Sequence, residues 1–191
     1  EILYTFYGIS VDGFSYPLVD THIFKPRKSY FDEEYVLLYI SRIGIDTPMD
    51  LVKNVIKTIL QNSDMKVIIW KEKEGVFPRI NKRDAKDRIR FLNFVIDDCE
   101  LAKLYSNAYI VVAPQPFESF GYVPVEAMAC GTPPLTFGFL GPSETVIDSE
   151  TGWLAFNNQN LLDTLKKVLK NGYDPTMRKR AVQHVRERFS V

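Results

Sequence analysis

Residues 109–137 read YIVVAPQPFESFGYVPVEAMACGTPPLTF, and their order of apolar run, glycine, helix and apolar run decides the fold. Tyr109-Ile110-Val111-Val112-Ala113 reads as a strand. A helix follows from about Phe120 to Cys130 and stops at Gly131, the residue type that closes helices in a left-handed conformation. Pro134-Leu135-Thr136-Phe137 reads as the next strand. Strand, helix and strand joined by short connections make a parallel crossover unit, which is right-handed.

The same alternation extends in both directions. Tyr35-Val36-Leu37-Leu38-Tyr39-Ile40 is continuously apolar, as a strand buried on both faces is. Residues 48–61 carry Leu51, Val52, Val55, Ile56, Ile59 and Leu60 on one helical face and Asp50, Lys53, Asn54 and Lys57 on the other. Thr47 is expected as the N-cap of that helix, with Pro48 in its first position. Lys66–Trp70 and Arg90–Phe94 read as further strands. Residues 71–88 are charged, with a short helix near 82–87 as one reading. Asp97 and Glu100 have the spacing of a capping box for a helix to about Ser106. A helical turn near Pro142, a small strand at 152–155 and helices at 158–171 and 175–189 complete the series. The expected architecture is α/β: a parallel sheet with helices on both faces, spanning residues 35–191. Residues 1–34, rich in Tyr, Phe, Pro and Asp, form a lead-in. Ligands bind such sheets outside the carboxyl ends of the strands, where the strand order reverses, and the 109–137 stretch turns at that edge.

Composition narrows the function. Of 191 residues, 24 are basic and 24 acidic, a formal net charge of zero. That argues against a broad nucleic-acid surface, which needs cations to neutralise phosphates. No apolar run is long enough for an integral membrane segment. Cys99 and Cys130 are expected as free thiols in a reducing compartment, which places the protein in the cytoplasm, or on the periphery of a membrane as a longer protein. His22 and His184 stand far apart, so neither a metal nor another cofactor is expected. The first residue is not Met, and the chain reads as a fragment or a processed product of a longer protein.

The helix from Phe120 has the chemistry of an anion site. Gly121 lets a ligand approach the backbone. The amides from Gly121 to Val123 precede the helical hydrogen-bond ladder and carry partial positive charge, which suits a phosphate. Glu126 sits roughly 8–9 Å further along the axis, about the distance from a distal phosphate back to a ribose. Its two oxygens can accept from both hydroxyls of a diol. Glu118, on the other side of the mouth, could accept from hydroxyls of a group carried on the distal phosphate. Taken singly, a second-turn Glu is an ordinary solvated residue and a Glu before a helix is ordinary dipole electrostatics; the combination points to a nucleotide ligand.

Glu118-Ser119-Phe120-Gly121 followed by Glu126-Ala127-Met128-Ala129-Cys130-Gly131-Thr132-Pro133 resembles the E-x7-E signature of the retaining group 1 (family 4) glycosyltransferases of GT-B fold. Gly141-Pro142-Ser143-Glu144 resembles their G-x-x-E turn. Asp148–Leu154 resembles their D-x-x-T-G-x-L strand, and Arg186–Ser190 their last motif before a closing helix. Val19–Pro26 resembles the hinge between their two domains. The resemblance runs from Pro17 to Val191. It implies a Rossmann-like donor-binding domain, one half of a GT-B enzyme, with the N-terminal acceptor domain missing. It also implies that Glu118 contacts the donor sugar near the reacting carbon, and that Ser119, Phe120, Gly121, Tyr122 and Val123 line the sugar and diphosphate. Glu126 would hold the ribose, Phe94 and Val95 would lie near the base, and Arg42 would stabilise the departing diphosphate. The substrate implied is a nucleoside-diphosphate sugar and the role is carbohydrate biosynthesis, with the acceptor unspecified.

One departure stands out. The family places a lysine and a glycine five residues after its arginine, where this chain has Thr47 and Pro48. Losing a charge-assisted bond to phosphate costs ~1.5–3 kcal/mol, so Lys71 or Lys73 substitutes, or donor binding is weak, or catalysis is lost. The alternative function is therefore a non-catalytic nucleotide-sugar-binding or interaction module of the same fold. A sugar-nucleotide 2-epimerase matches the motifs less well.

Overall fold

Among the described residues six strands run in one direction through the middle of the molecule. The computed structural model describes residues 13, 15–28, 33–40, 47–71, 87–92 and 97–191. In it β1 (Tyr35–Ile40), β2 (Lys66–Lys71), β3 (Ile89–Leu92), β4 (Ala108–Ala113), β5 (Pro134–Phe137) and β6 (Trp153–Ala155) pair in the order β3-β2-β1-β4-β5-β6. All five pairings are parallel. The order reverses between β1 and β4, so the carboxyl ends of these two strands flank the crevice where sheets of this kind bind ligands.

The helices are α1 (Met49–Asn62), α2 (Asp98–Ser106), α3 (Tyr122–Ala129), α4 (Pro142–Thr145), α5 (Asn158–Asn171) and α6 (Thr176–Arg188). Alternate strand residues feed two cores. Leu37, Tyr39, Ile68, Trp70 and Val111 pack with Leu101 and Tyr105 of α2, Val125 and Met128 of α3, and Val185 of α6. Val36, Leu38, Ile40, Ile69 and Val112 pack on the other face with Val52, Val55 and Ile59 of α1 and Leu161 and Leu165 of α5. Both faces are covered, which is why the strands read as unbroken apolar runs. Each fully buried Leu or Ile in them contributes about 1.5–3 kcal/mol.

Several helix starts differ from the sequence expectation. Pro48 is extended (φ −61°, ψ 129°) and is itself the N-cap of α1, without a side-chain cap bond. Thr47 is therefore not the cap; it is fully buried and accepts from Gln115 Nε2 at 3.4 Å. At α2, Asp97 Oδ1 does accept from the amides of Cys99 and Glu100 at 2.7 and 3.1 Å. The box is only half formed, because Glu100 pairs with Lys103 at 2.9 Å, an i,i+3 neighbour on the same face. Helix α3 starts at Tyr122 rather than Phe120, because Gly121 is left-handed (φ 86°) and cannot continue a helical turn. Its far end is as expected: Gly131 (φ 82°) closes it, with Gly131 N–H to Met128 O and Thr132 N–H to Ala127 O at 2.9 and 2.8 Å. Cys99 and Cys130 are free thiols, and burial pushes that of Cys130 up to about 12.

The segment before β1 is tied to the end of α6. Val19 forms a parallel bridge with Ser190, its N–H donates to Phe189 O at 2.7 Å, and Thr21 Oγ1 meets Ser190 Oγ at 2.6 Å. Phe24 is buried against Tyr105. The stretches at 19–26 and 186–190 thus clasp each other. Among the described residues no helix is long and apolar enough to cross a membrane.

Candidate functional site

The carboxyl end of β4 leads through Pro114–Phe120 into α3. Gln115, only 1% exposed, closes the gap at the reversal point: its Nε2 donates to Tyr39 O at the end of β1 (3.1 Å) and to Thr47 Oγ1, while its Oε1 has no partner among the described residues. Beyond it the chain surfaces at Phe117, then turns in again at Phe120. The Phe120 ring lies in the core, edge-on to Phe189 (5.9 Å) and to Tyr122 (5.0 Å). Phe120 therefore offers only backbone to a ligand. Ser119 and Tyr122 are exposed, and Glu118 and Val123 are partly buried.

The left-handed Gly121 opens α3. The first bond of the helix runs from Val125 N–H to Gly121 O at 3.2 Å. Pro124 has no N–H, so Tyr122 and Val123 carry the amides of the first turn that precede the ladder. Its N-cap, Gly121, has no side chain with which to cap this end, which suits the positive pole of the helix to an outside anion.

The mouth is braced from below by the loop after β5. Gly141 N–H donates to Glu118 O at 3.0 Å. A Cβ on Gly141 would stand 2.4 Å from Phe120 Cα, so only glycine allows this approach. Leu140 beside it is left-handed (φ 53°) and 57% exposed, a strained backbone for a branched side chain. The Gly141–Glu144 turn thus supports the mouth, while the Glu144 carboxylate accepts from Tyr16 OH at 2.9 Å. His184 of α6 reaches the same turn, with Nε2 donating to Thr145 O at 2.9 Å. The Asp148–Leu154 stretch folds on itself: Asp148 Oδ1 accepts from Leu154 N–H at 2.9 Å, and Thr151 Oγ1 accepts from Ile147 N–H at 3.0 Å.

Glu126 stands one turn into α3, partly buried. Burial pushes its carboxyl up to about 7; the Tyr105 hydroxyl, donating at 3.0 Å, opposes this and the nearby Asp98 charge adds to it. A carboxyl so placed is half ionised near neutrality and strengthened as an acceptor by its low-dielectric surroundings.

The structure thus brings Glu118 to Val123 together with Gly141 at one helix mouth at the sheet's carboxyl edge, and sets Glu126 behind them. Arg42, Phe94, Val95 and Lys73 lie outside the described residues, as does the side chain of Lys71. Sequence reasoning missed Tyr105 and Gln115. Tyr105 carried a signal, since a tyrosine within an apolar helical stripe must find a partner for its hydroxyl. Among the described residues no three His, Cys, Asp or Glu gather as metal ligands. A separate cavity of about 660 Å³, lined by Pro26, Gly131, Arg178, Val182 and Arg186 among others, opens at the ends of α2 and α3. It lies at the amino edge of the sheet, away from the mouth.

Residues 21–188 match the family described as glycosyl transferases group 1. An uncharacterized glycosyltransferase of Methanocaldococcus jannaschii is 26% identical over 165 residues, which cover 83% of this chain and 42% of that protein. Sucrose-phosphate synthase from Thermosynechococcus elongatus shares the fold with a TM-score of 0.72 at 23% identity, over 91% of this chain and 47% of that one. So does Anabaena HepE, solved in complex with UDP, with a TM-score of 0.68 at 20% identity over 90% and 52%. The chain spans about half the length of these proteins.

Proposed function

The chain belongs to the group 1 glycosyl transferase family, and on that premise we propose that it is the donor-binding domain of a retaining glycosyltransferase acting on a nucleoside-diphosphate sugar. The observation that carries the reading is the glycine-capped mouth of α3 at the carboxyl edge, with Glu118 on one side and Glu126 on the other. Tyr122 and Val123 amides receive the diphosphate, Glu126 the ribose, and Glu118 the hydroxyls of the sugar. A related fold solved with UDP supports a uridine or similar nucleotide as the ligand class.

In the complete enzyme an acceptor hydroxyl attacks the anomeric carbon as the bond to the diphosphate breaks, its proton passing to the departing diphosphate oxygen, with the configuration kept. The helix dipole and Arg42 stabilise the charge that develops on the leaving diphosphate, a preorganised electrostatic role. No metal ion or other cofactor takes part in this reading. The two free thiols fit a cytoplasmic setting.

Titration calorimetry of the folded chain with UDP, GDP and ADP tests the reading. Binding of at least one is expected, and silence from all three sinks it. A second reading, a non-catalytic nucleotide-binding module, is favoured by the burial of Thr47, whose hydroxyl is taken by Gln115 and adds no cation to the diphosphate. Transfer by the full-length protein with a panel of donors separates the two: turnover with any donor excludes the module.

A further inference from the structure

We propose that Tyr105 is a positioning residue for Glu126: its buried phenol fixes, from beneath α3, the carboxylate that receives the ribose diol. The proposal rests on the donor reading above. Tyr105 sits in the last turn of α2 with no exposed surface. Its hydroxyl donates to Glu126 Oε2 at 3.0 Å, and its carbonyl accepts from Thr132 Oγ1 at 2.6 Å. Its ring lies 6.4 Å from that of Phe24 and edge-on to Trp70 at 6.1 Å, and Trp70 packs in turn on Tyr39 at 4.7 Å. Packing holds the ring and a hydrogen bond holds the backbone, so the phenol points one way.

Glu126 is the flexible partner. A glutamate on the second turn of a helix has several side-chain conformers, and ordering it at the moment of binding costs affinity. The bond from Tyr105 orders it beforehand. It occupies one lone pair of Oε2 and leaves the other, with both of Oε1, for a diol. Among the described residues, Asp98 on α2, the Cys130 thiol beyond the end of α3 and the Tyr39 phenol of β1 are the other titratable groups facing this pair. Burial keeps the phenol protonated far above its ordinary range, so it remains a donor and favours the ionised form of Glu126. The aromatic cluster beneath Glu126 therefore has a use beyond filling the core.

Tyr105→Phe keeps the ring and deletes the donor. In the intact 191-residue chain, calorimetry is run with UDP, GDP and ADP and with inorganic pyrophosphate, from acidic to mildly alkaline pH. The variant should bind the nucleotide about tenfold more weakly near neutrality and pyrophosphate unchanged. The midpoint of its pH dependence should move up, since a carboxylate that loses a donor ionises less readily. Carbon-13 NMR of the Glu126 carboxyl in the ligand-free chain should show the same upward move. Nucleotide affinity and Glu126 midpoint both unchanged in a folded Tyr105→Phe chain overturn the proposal. Equal weakening of nucleotide and pyrophosphate also overturns it, because the phenol would then be supporting the helix mouth as a whole. If the unaltered chain binds none of the three nucleotides, the donor reading fails and this one with it; if it binds and Tyr105→Phe changes nothing, only this one fails.

Discussion

Replacing Gly141 with alanine adds one methyl group at the tightest point beneath the candidate site. Gly141 has ordinary helical angles (φ −53°, ψ −47°), so the backbone itself tolerates a side chain. The obstacle is the neighbour: the new Cβ would lie 2.4 Å from Phe120 Cα and 2.5 Å from its carbonyl carbon and oxygen. Carbon atoms rest at about 3.5–4.0 Å, so the Phe120 backbone must withdraw by about 1 Å. It is not free to do so, because Gly141 N–H holds Glu118 O and the Phe120 ring is wedged against Phe189. Overpacking of this kind costs about 1–3 kcal/mol. For a chain of this size a 2 kcal/mol loss lowers Tm by about 4–8 °C. The same movement carries Gly121 and the Tyr122 amide out of place, and a hydrogen bond stretched by about 1 Å is no longer one. Gly141→Ala should therefore bind both UDP and inorganic pyrophosphate about tenfold or more weakly, read by calorimetry beside a thermal melt. A variant with unchanged Tm and unchanged affinity for both would refute the placement of the Gly141 turn under the mouth.

The other predictions concern single side chains. Glu126→Ala should weaken nucleotide binding and leave inorganic pyrophosphate binding intact; equal loss of both contradicts the ribose assignment. Glu126→Gln should be more stable than the unaltered chain at pH 8, and the gap should close as pH falls. The sign follows from a folded carboxyl at about 7 against 4.5 unfolded. The folded state keeps the proton longer, so stability present below about 4.5 is lost as pH rises towards 7. Thermal melts of both proteins at pH 5 and pH 8 measure it, and a constant gap refutes the burial of that carboxyl. Gln115→Ala should cost about 1–3 kcal/mol, because the buried Tyr39 carbonyl loses a donor and a cavity opens at the reversal point. Denaturant titration checks it, and a change below about 0.5 kcal/mol would count against this bridge.

The fold was largely written in the apolar runs. Val36, Leu38 and Ile40 face one core and Leu37 and Tyr39 the other, so a strand buried on both sides shows no polar residue to blur it. What escaped was decided by single backbone angles and by competition between partners. Nothing in the order of residues says that Gly121 turns left-handed and delays α3 to Tyr122, or that Pro48 stays extended and buries Thr47. Glu100 had two available partners and took Lys103. The two acids and the glycine between them could be proposed from the sequence because they lie within nine residues around one helix start. The pairing of the Tyr105 phenol with Glu126 could not be read, since the two sit on different helices 21 residues apart. The family match over residues 21–188 agrees with the resemblance first read from the 118–133 stretch and its accompanying motifs.

A crystal structure of the chain soaked with UDP tests the central claim most directly. The account predicts diphosphate oxygens within hydrogen-bond reach of the Tyr122 and Val123 amides, with the ribose hydroxyls on Glu126 and Tyr105 still donating to that carboxylate from below. A nucleotide bound in the cavity near Pro26 and Arg186 instead, or a diphosphate that leaves the mouth of α3 to solvent, would contradict it.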